Sequence, residues 1–543
     1  MNRLKPIFFS LQRIAVPVWM LVVVALALPV HFNVIAQDRY DDYWMEAYEM
    51  REKLVRDKFR PRYHFLPREG GWNDINGAVF HNGRYHIGYL QKISTKPGER
   101  DFSSWQHISS RDLLHWRYHP ASLDEPFEGL HGDYFNSGDV IDGAEVPTII
   151  TNMPRHGVMV YQSFDDNLDE WVAHPNNPVI PVAPGELGLQ RRSEEYQECM
   201  IFDPSGWKEG DTYDVLVGSK NYRPGYERDS TSHFKTKDYK DWEYIGPFYK
   251  SDRKWTGEDE DCACSDFFPF GEKYMLVMHT HEPYRHSQYY IGSFRDDQFF
   301  PEMHGHLSWP GANVAGPETL LDDKGRRIFW GWVRDATRIG ADPGWHSIMT
   351  LPWHFSPAKD NSLRIDPVEE LQLLRYNGRR HENIALSEGD DRIVEGFDSD
   401  CAEIKLRLKP RDASRFGLKL FCSPDLEEET VITYDRKMQQ FVINFEKASL
   451  SEVEYNLGRA HPNLKRGNLK QTIPFSLPDD GSLDLDIFID RSILEVFVNS
   501  KVCLVQRVYP TRQDSTQFRL FSEDGRVKAS KLVKWEMDAT NPW

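Results

Sequence analysis

From about residue 70 to residue 365 the chain is a succession of short apolar runs, rich in β-branched and aromatic side chains and cut by Gly, Asn, Asp and Pro. "GAVFHNGRYHIGYLQ" (77–91), "TYDVLVGS" (212–219), "KYMLVMHTH" (273–281) and "RRIFWGWV" (326–333) are of this kind, and runs bounded this way read as strands. Repeated at regular intervals, they predict a propeller or a large sandwich and not an α/β sheet. Farther on, "AEIKLRLKP" (402–410), "QFVINFE" (440–446) and "LDLDIFIDRSILEVFVNS" (483–500) alternate apolar and polar positions, as strands of a two-sheet antiparallel sandwich do. Helical spacing is confined to two places. "DRYDDYWMEAYEMREKLVRDKF" (38–59) predicts a surface helix ending before Pro61, and "IDPVEELQLLRYNGRR" (365–380) a short one opened by Asp366 and Pro367 and closed near Gly378. The second is the natural linker between two β domains.

The first residues follow another rule. Arg3, Lys5 and Arg13 precede an apolar run from Val16 to Val30, and Ala36 stands at a cleavage position, the layout of a secretory signal. The run is shorter than the roughly 20 residues a spanning helix requires, although a retained N-terminal anchor is the alternative. The expected organisation is a signal peptide (1–36), an N-terminal helical extension (37–60), a catalytic β domain (61–365), a linker with a short helix (366–392) and a β-sandwich (393–543).

Removing residues 1–36, which hold three basic and no acidic side chains, takes the net charge from −18 to −21. Such a surface repels nucleic acid and anionic membranes and suits a neutral ligand in an exported protein; the expected localisation is secreted or periplasmic. Aromatic residues make up 13% of the chain, with 16 Trp and 24 Tyr, which suits clefts where flat rings stack on sugars. Six Cys in 543 residues exclude a disulfide scaffold, while one or two bridges remain open. Cys262 and Cys264 with His279 and His281 have a spacing tighter than structural zinc sites use, so no metal is expected.

Three acidic positions stand out. Asp74 lies in "NDING" (73–77), which by itself reads as an Asn-Gly turn. Asp203 precedes Pro204 in "MIFDPSGW", a common turn start. The run "GEDEDCACSDFF" (257–268) reads as a solvated loop that dives inward at its Cys and Phe residues. Alone, each reads as structural before it reads as functional.

Together with their surroundings they resemble glycoside hydrolase family 32, the invertase, levanase and inulinase group. Arg60–Leu90, with a Trp before an Asn-Asp-x-Asn-Gly element, resembles that family's start. "WQHISSRDLLHW" (105–116), "FNSGDVIDG" (135–143), "FWGWVRD" (329–335) and "GWHSIMTLPWHFS" (344–356) are similar to its later strands, and "FIDRSILEVFVN" (488–499) to its C-terminal signature. The resemblance spans roughly residues 60 to 535 in the family's order. It implies an all-β chain, a five-bladed β-propeller followed by a C-terminal β-sandwich, and a retaining hydrolase of β-fructofuranosides such as sucrose, levan or inulin. It also implies Asp74 as nucleophile, Asp203 as the carboxylate that orients sugar hydroxyls, and a general acid just before "CSDFF" (264–268). No cofactor is implied, because paired carboxylates about 5–5.5 Å apart suffice for such cleavage.

The chain departs from the family pattern in three places. Ala263 holds the place of the acid, so Glu260 is the expected proton donor, with Asp261 and Glu258 as alternatives. Phe202 stands where an Arg precedes Asp-Pro, and an aromatic ring cannot make that group's bidentate hydrogen bonds. Leu90 stands where a Gln follows "YHIGY", leaving Gln91 one position late and on the wrong face unless a bulge intervenes. Expected sugar contacts are Asn73, Gln91, Phe135 and Asn136, with Trp332 as a wall; Trp72 and Trp105 are equally suited to core or ligand, and Arg491 to a structural role. The substrate partner is a carbohydrate. A fructosyltransferase, a catalytically silent carbohydrate-binding protein and a glycosidase for another furanoside such as arabinan are the alternatives.

Overall fold

The computed structural model describes residues 49, 52–67, 70–93, 102–124, 135–184, 191–226, 230–251, 255, 260–281, 286–309, 314–333, 337–338, 344–455 and 469–541. The signal peptide and most of the N-terminal extension lie outside these residues; within the extension, 49 and 52–56 are helical. Among the described residues no helix is long and apolar enough to cross a membrane.

Residues 58–543 form one compact unit. Its first part is five antiparallel blades. Their innermost strands are Gly70–His81, Gly138–Val140, Ser205–Glu209, Ala263–Phe270 and Val314–Leu321. Each of these strands packs against the next and the fifth against the first, so the ring closes. Closure leaves no open inner edge, and it converges five segments that are far apart in sequence on one axis. Trp345–His346 adds a parallel pairing to the first inner strand, linking the end of the circle to its start.

The apolar runs follow from stacking blades face to face. A middle strand is covered on both sides, so its residues are buried throughout and alternate between two cores. In blade three, Val215 and Val217 join Ile150, Val158 and Phe234 against blade two, while Leu216 joins Phe248, Phe267 and Leu276 against blade four. Leu90, Trp105, Phe135 and Met159 fill the interval between blades one and two. Phe135, expected at the sugar rim, is thus core, 1% exposed and edge-on to Tyr161. Trp105 is core as well, its indole Nε1 donating to the Asn136 carbonyl at 2.9 Å.

The linker is shorter than expected. A 3₁₀ turn at Glu369–Leu374 is all that separates the last propeller strand, Leu363–Pro367, from Arg375–His381, which is already a strand of the sandwich. Leu371 and Leu374 are buried, and the chain returns to extended geometry where Arg375 pairs with Met537. The two sandwich sheets enclose Ile404, Leu406, Ile487 and Val496 on one side and Leu418, Ile432, Phe441 and Leu520 on the other. Each such side chain contributes about 1.5–3 kcal/mol on burial.

The propeller and sandwich are joined by two buried carboxylates of the "FIDRSILEVF" segment. Asp490 accepts the backbone N–H groups of Arg62, Tyr63 and His64 at 2.6, 2.9 and 2.9 Å. Glu495 accepts the Leu351 N–H at 2.9 Å and the Trp353 indole at 2.7 Å. His64 lies between them, Nδ1 2.9 Å from Asp490 and Nε2 3.4 Å from Glu495. Arg491, at positive φ, donates to the Arg60 carbonyl at 3.0 Å, the structural role its sequence setting suits.

Candidate active site

Asp74 does not sit in a turn. "NDING" lies inside the continuous strand Gly70–His81, and its two irregularities are β-bulges, one between Asn73 and Ile75 and one between Asn76 and Ala78. The first makes Asp74 the extra residue, and a bulge re-aims its side chain. The second uses Gly77 at φ +64°, where an added Cβ would lie 2.7 Å from Val140 Cγ2. The turn-forming composition is therefore spent on bending a strand at the mouth of the ring.

Half-buried Asp74 is fixed from two other blades. Ser137, at the start of blade two, donates its hydroxyl to Asp74 Oδ2 at 2.9 Å. Gly316, on the inner strand of blade five at φ +48°, is so close that a Cβ there would be 2.8 Å from Asp74 Oδ1 and 3.0 Å from its Cα. Neither residue was singled out from the sequence, and no local signal marks them.

Asp203 comes from the entry to blade three. It is 4% exposed and held at φ +34°. Cys264 reaches its Oδ2 at 3.5 Å, and its buried Oδ1 has no hydrogen-bond partner among the described residues. Burial, reinforced by the negative charges of Asp74 and Asp261 and opposed by the charge of His281, pushes its carboxyl up to about 7. Burial, followed by the charges of Asp203 and Asp74, raises the Cys264 thiol well above its usual range. Phe202, in the Arg position, packs with Met200 and Ala263, its ring 5.7 Å from that of His281.

Glu260 and Asp261 part company. Glu260 is directed toward blade four, where Gln288 Nε2 approaches its Oε2 at 3.4 Å and Gln288 Oε1 meets His304 at 2.7 Å. Asp261 turns instead to the end of the second strand of the same blade. Its carboxylate accepts the His281 backbone N–H at 2.6 Å and contacts His281 Nδ1 at 2.8 Å. Burial works against this carboxylate, but the bond and charge of His281 hold it below the usual range. Burial likewise opposes the His281 cation, and Asp261, followed by Asp203 and Asp74, more than offsets it, so the imidazole titrates above its ordinary value. Glu258 lies outside the described residues.

The remaining expected contacts are spread. The Asn73 side chain lies outside the described residues. Gln91 is half-buried opposite Trp72, one step from Leu90, which packs between blades one and two; the bulge at Asp74 shifts the pairing between these strands by one residue. Asn136 is half-buried and tied through its backbone to Asn152. Trp332 is 8% exposed and pairs with Ala315, the neighbour of Gly316.

Deeper in the ring, three carboxyls converge. Glu318 Oε2 accepts the Gly77 N–H at 3.1 Å, Asp266 accepts the Thr319 hydroxyl, and Asp139 accepts the Val140 N–H at 2.6 Å. Burial and mutual repulsion hold Asp139 and Glu318 well above the carboxylate range. Nearby, Arg327 pairs with Asp142 at 2.7 Å and lies over the Phe268 ring. All six Cys are free thiols. The group whose ligand atoms lie close enough to hold a metal, among the described residues, is His107, His119 and Asp169. Its atoms are joined by hydrogen bonds, His119 to Asp169 and to Ser109 at 2.6 Å each and His107 to His86 at 2.9 Å.

A closed five-bladed ring with a sandwich behind it, and carboxylates from separate blades meeting at its mouth, defines a glycoside hydrolase of the β-fructofuranosidase type. Residues 64–367 match the glycosyl hydrolases family 32 N-terminal domain and residues 370–536 the family 32 C-terminal domain; the chain belongs to glycosyl hydrolase family 32. Among curated relatives, it is 24% identical over 532 residues to a sucrose-6-phosphate hydrolase of Zymomonas mobilis, covering 90% of this chain and 94% of the relative. It is 25% identical over 517 residues to the levanase of Bacillus subtilis, covering 88% and 70%. In fold it is similar to the crystal structure of fructan 1-exohydrolase IIa from Cichorium intybus, with a TM-score of 0.74, 20% identity and coverage of 89% and 98%.

Proposed function

We propose that the protein is an exported hydrolase that cleaves unphosphorylated β-fructofuranosides, sucrose, levan, inulin or a related fructan, with net retention. The observation that carries this reading is the setting of Asp74, aimed inward by a bulge, bonded by Ser137 and pressed by Gly316. A carboxylate held that firmly suits attack on an anomeric carbon, where misplacement by an ångström is costly. Asp203, buried beside it, is the second carboxyl, placed to bind sugar hydroxyls. Gln91, Asn136 and Trp332 are read as the sugar-facing surroundings, and Asn73 is kept as a sugar contact on its sequence motif alone. Export rests on the leader pattern of residues 1–36, and the neutral substrate on the net charge of −18.

The test is to incubate the secreted form with sucrose, levan, inulin and arabinan and to follow released sugars by NMR at early times. Release of fructose first in the β configuration, abolished by Asp74→Asn, is the expected result. Release of arabinose alone, or of α-fructose first, overturns it. Sugar binding without release favours a silent binding module, and transfer products in place of free fructose a transferase.

A further inference from the structure

The position that the family pattern gives to the proton donor is Ala263, 1% exposed and packed against Met200 and Phe202. Glu260 is turned toward Gln288. The acid and cation that bear on Asp203, besides Asp74, are Asp261 and His281. His281 follows the second strand of blade four, and Asp261 precedes its first strand. The two are locked by a pair of contacts, backbone N–H to Oδ1 at 2.6 Å and Nδ1 to Oδ2 at 2.8 Å. With Nδ1 committed to a carboxylate, the proton available for transfer is on Nε2. The ring lies beside Phe202, 5.7 Å between centroids, and its side chain keeps 31% exposure, so it is anchored by Asp261 and only partly covered.

We infer that His281, held by Asp261, is the proton donor to the leaving group, in place of the glutamate whose position Ala263 holds. The inference rests on Asp74 being the nucleophile. In the first step Asp74 Oδ bonds to the anomeric carbon, the electron pair of the breaking C–O bond passes to the leaving oxygen, and that oxygen takes the Nε2 proton. In the second, neutral His281 takes a proton from water as the water oxygen bonds to the same carbon, and the ester electron pair returns to Asp74. The dyad ends as it began.

The groups that face the imidazole set its titration. Asp261, Asp203 and Asp74 favour the cation, burial opposes it, and His279 stands 5.2 Å away ring to ring. Lys220 acts on Asp261 and favours its ionised form. Burial opposes the cation and these charges outweigh it, so the balance favours the protonated form that a general acid needs.

The experiment compares sucrose with β-fructofuranosyl fluoride, whose leaving group needs no proton. His281→Gln is expected to lower kcat on sucrose by about 10²–10⁴-fold and to leave fluoride hydrolysis within a few-fold when azide supplies the second nucleophile. The alkaline limb of the sucrose pH profile should vanish with it. Asp261→Asn should shift that limb to lower pH. Equal losses on both substrates, full activity on sucrose, or a leaving-group-dependent loss in Glu260→Gln instead, overturns the assignment. Should His281→Gln fail to fold, NMR titration of His281 in Asp74→Asn decides: an imidazole already neutral at pH 6 overturns it, and one still charged at pH 7 supports it. Activity surviving in Asp74→Asn refutes the underlying reading separately.

Discussion

His64 Nδ1 lies 2.9 Å from Asp490 Oδ2, with both side chains at zero exposure, across 426 residues of sequence. One imidazole thereby ties the strap before the first blade to the middle of the sandwich. Asp490 and Glu495 together hold His64 at a pKa of about 9 against the opposing effect of burial.

Because that value exceeds the ordinary 6.5, the stability His64 contributes is complete below about pH 6.5 and is lost as pH rises through about 9. The loss amounts to roughly 3 kcal/mol at 1.4 kcal/mol per pKa unit. Urea unfolding from pH 6 to 10 should show this alkaline decline, and His64→Gln should flatten it. Asp490→Asn, which strands a buried cation and weakens three backbone bonds, is expected to cost about 3–5 kcal/mol at pH 7.

Asp74→Asn should lower kcat by roughly 10⁴-fold with an unchanged circular dichroism spectrum. Ser137→Ala removes a bond to a charged group, worth about 1.5–3 kcal/mol, and should lower kcat by about 10–100-fold with little change in KM. A larger effect on KM than on kcat would mean that Ser137 binds sugar and does not orient the nucleophile.

Gly316→Ala meets both obstacles at once, a positive φ and a Cβ within 2.8 Å of Asp74 Oδ1. The backbone strain is about 1–2 kcal/mol, small enough for the fold to survive. Displacement of the carboxylate should lower kcat by at least about 100-fold. A variant with wild-type kcat would show that Asp74 tolerates movement.

Asp203, raised from 3.8 to about 7, affects stability with the opposite sign to an ordinary ion-paired aspartate. Its contribution is complete below pH 3.8 and is lost as pH climbs to about 7, beyond which the buried charge costs up to about 4 kcal/mol. Asp203→Asn should therefore raise the melting temperature at pH 8, barely change it at pH 4, and abolish activity. A lower melting temperature at pH 8 would mean that the carboxylate is well solvated.

Much of the fold was legible because blade stacking and sheet pairing have simple periods. "TYDVLVGS" reads as a strand since both of its faces meet apolar neighbours, and "AEIKLRLKP" as a sandwich strand since only one does. The short helix near 369–374 was legible too. Its length was not, because pairing of Arg375 with Met537, 162 residues later in the chain, overrides the local helical spacing. For the same reason "NDING" kept its turn composition and became a bulged strand, its partner Arg84–Ile93 supplying the hydrogen bonds that a turn would have made locally.

By itself the sequence determined an all-β chain in two parts and singled out the aspartates proposed for the site, since these depend on side-chain periodicity and short motifs. Only the tertiary structure decided which side chains meet. Phe135 went to the core because blade two closes over it. Glu260 and Asp261, adjacent in the chain, were sent to different surroundings because successive side chains of an extended segment point opposite ways. Ser137, Gly316 and His281 reached Asp74 and Asp203 from blades two, five and four because a closed ring brings together segments that no local pattern connects.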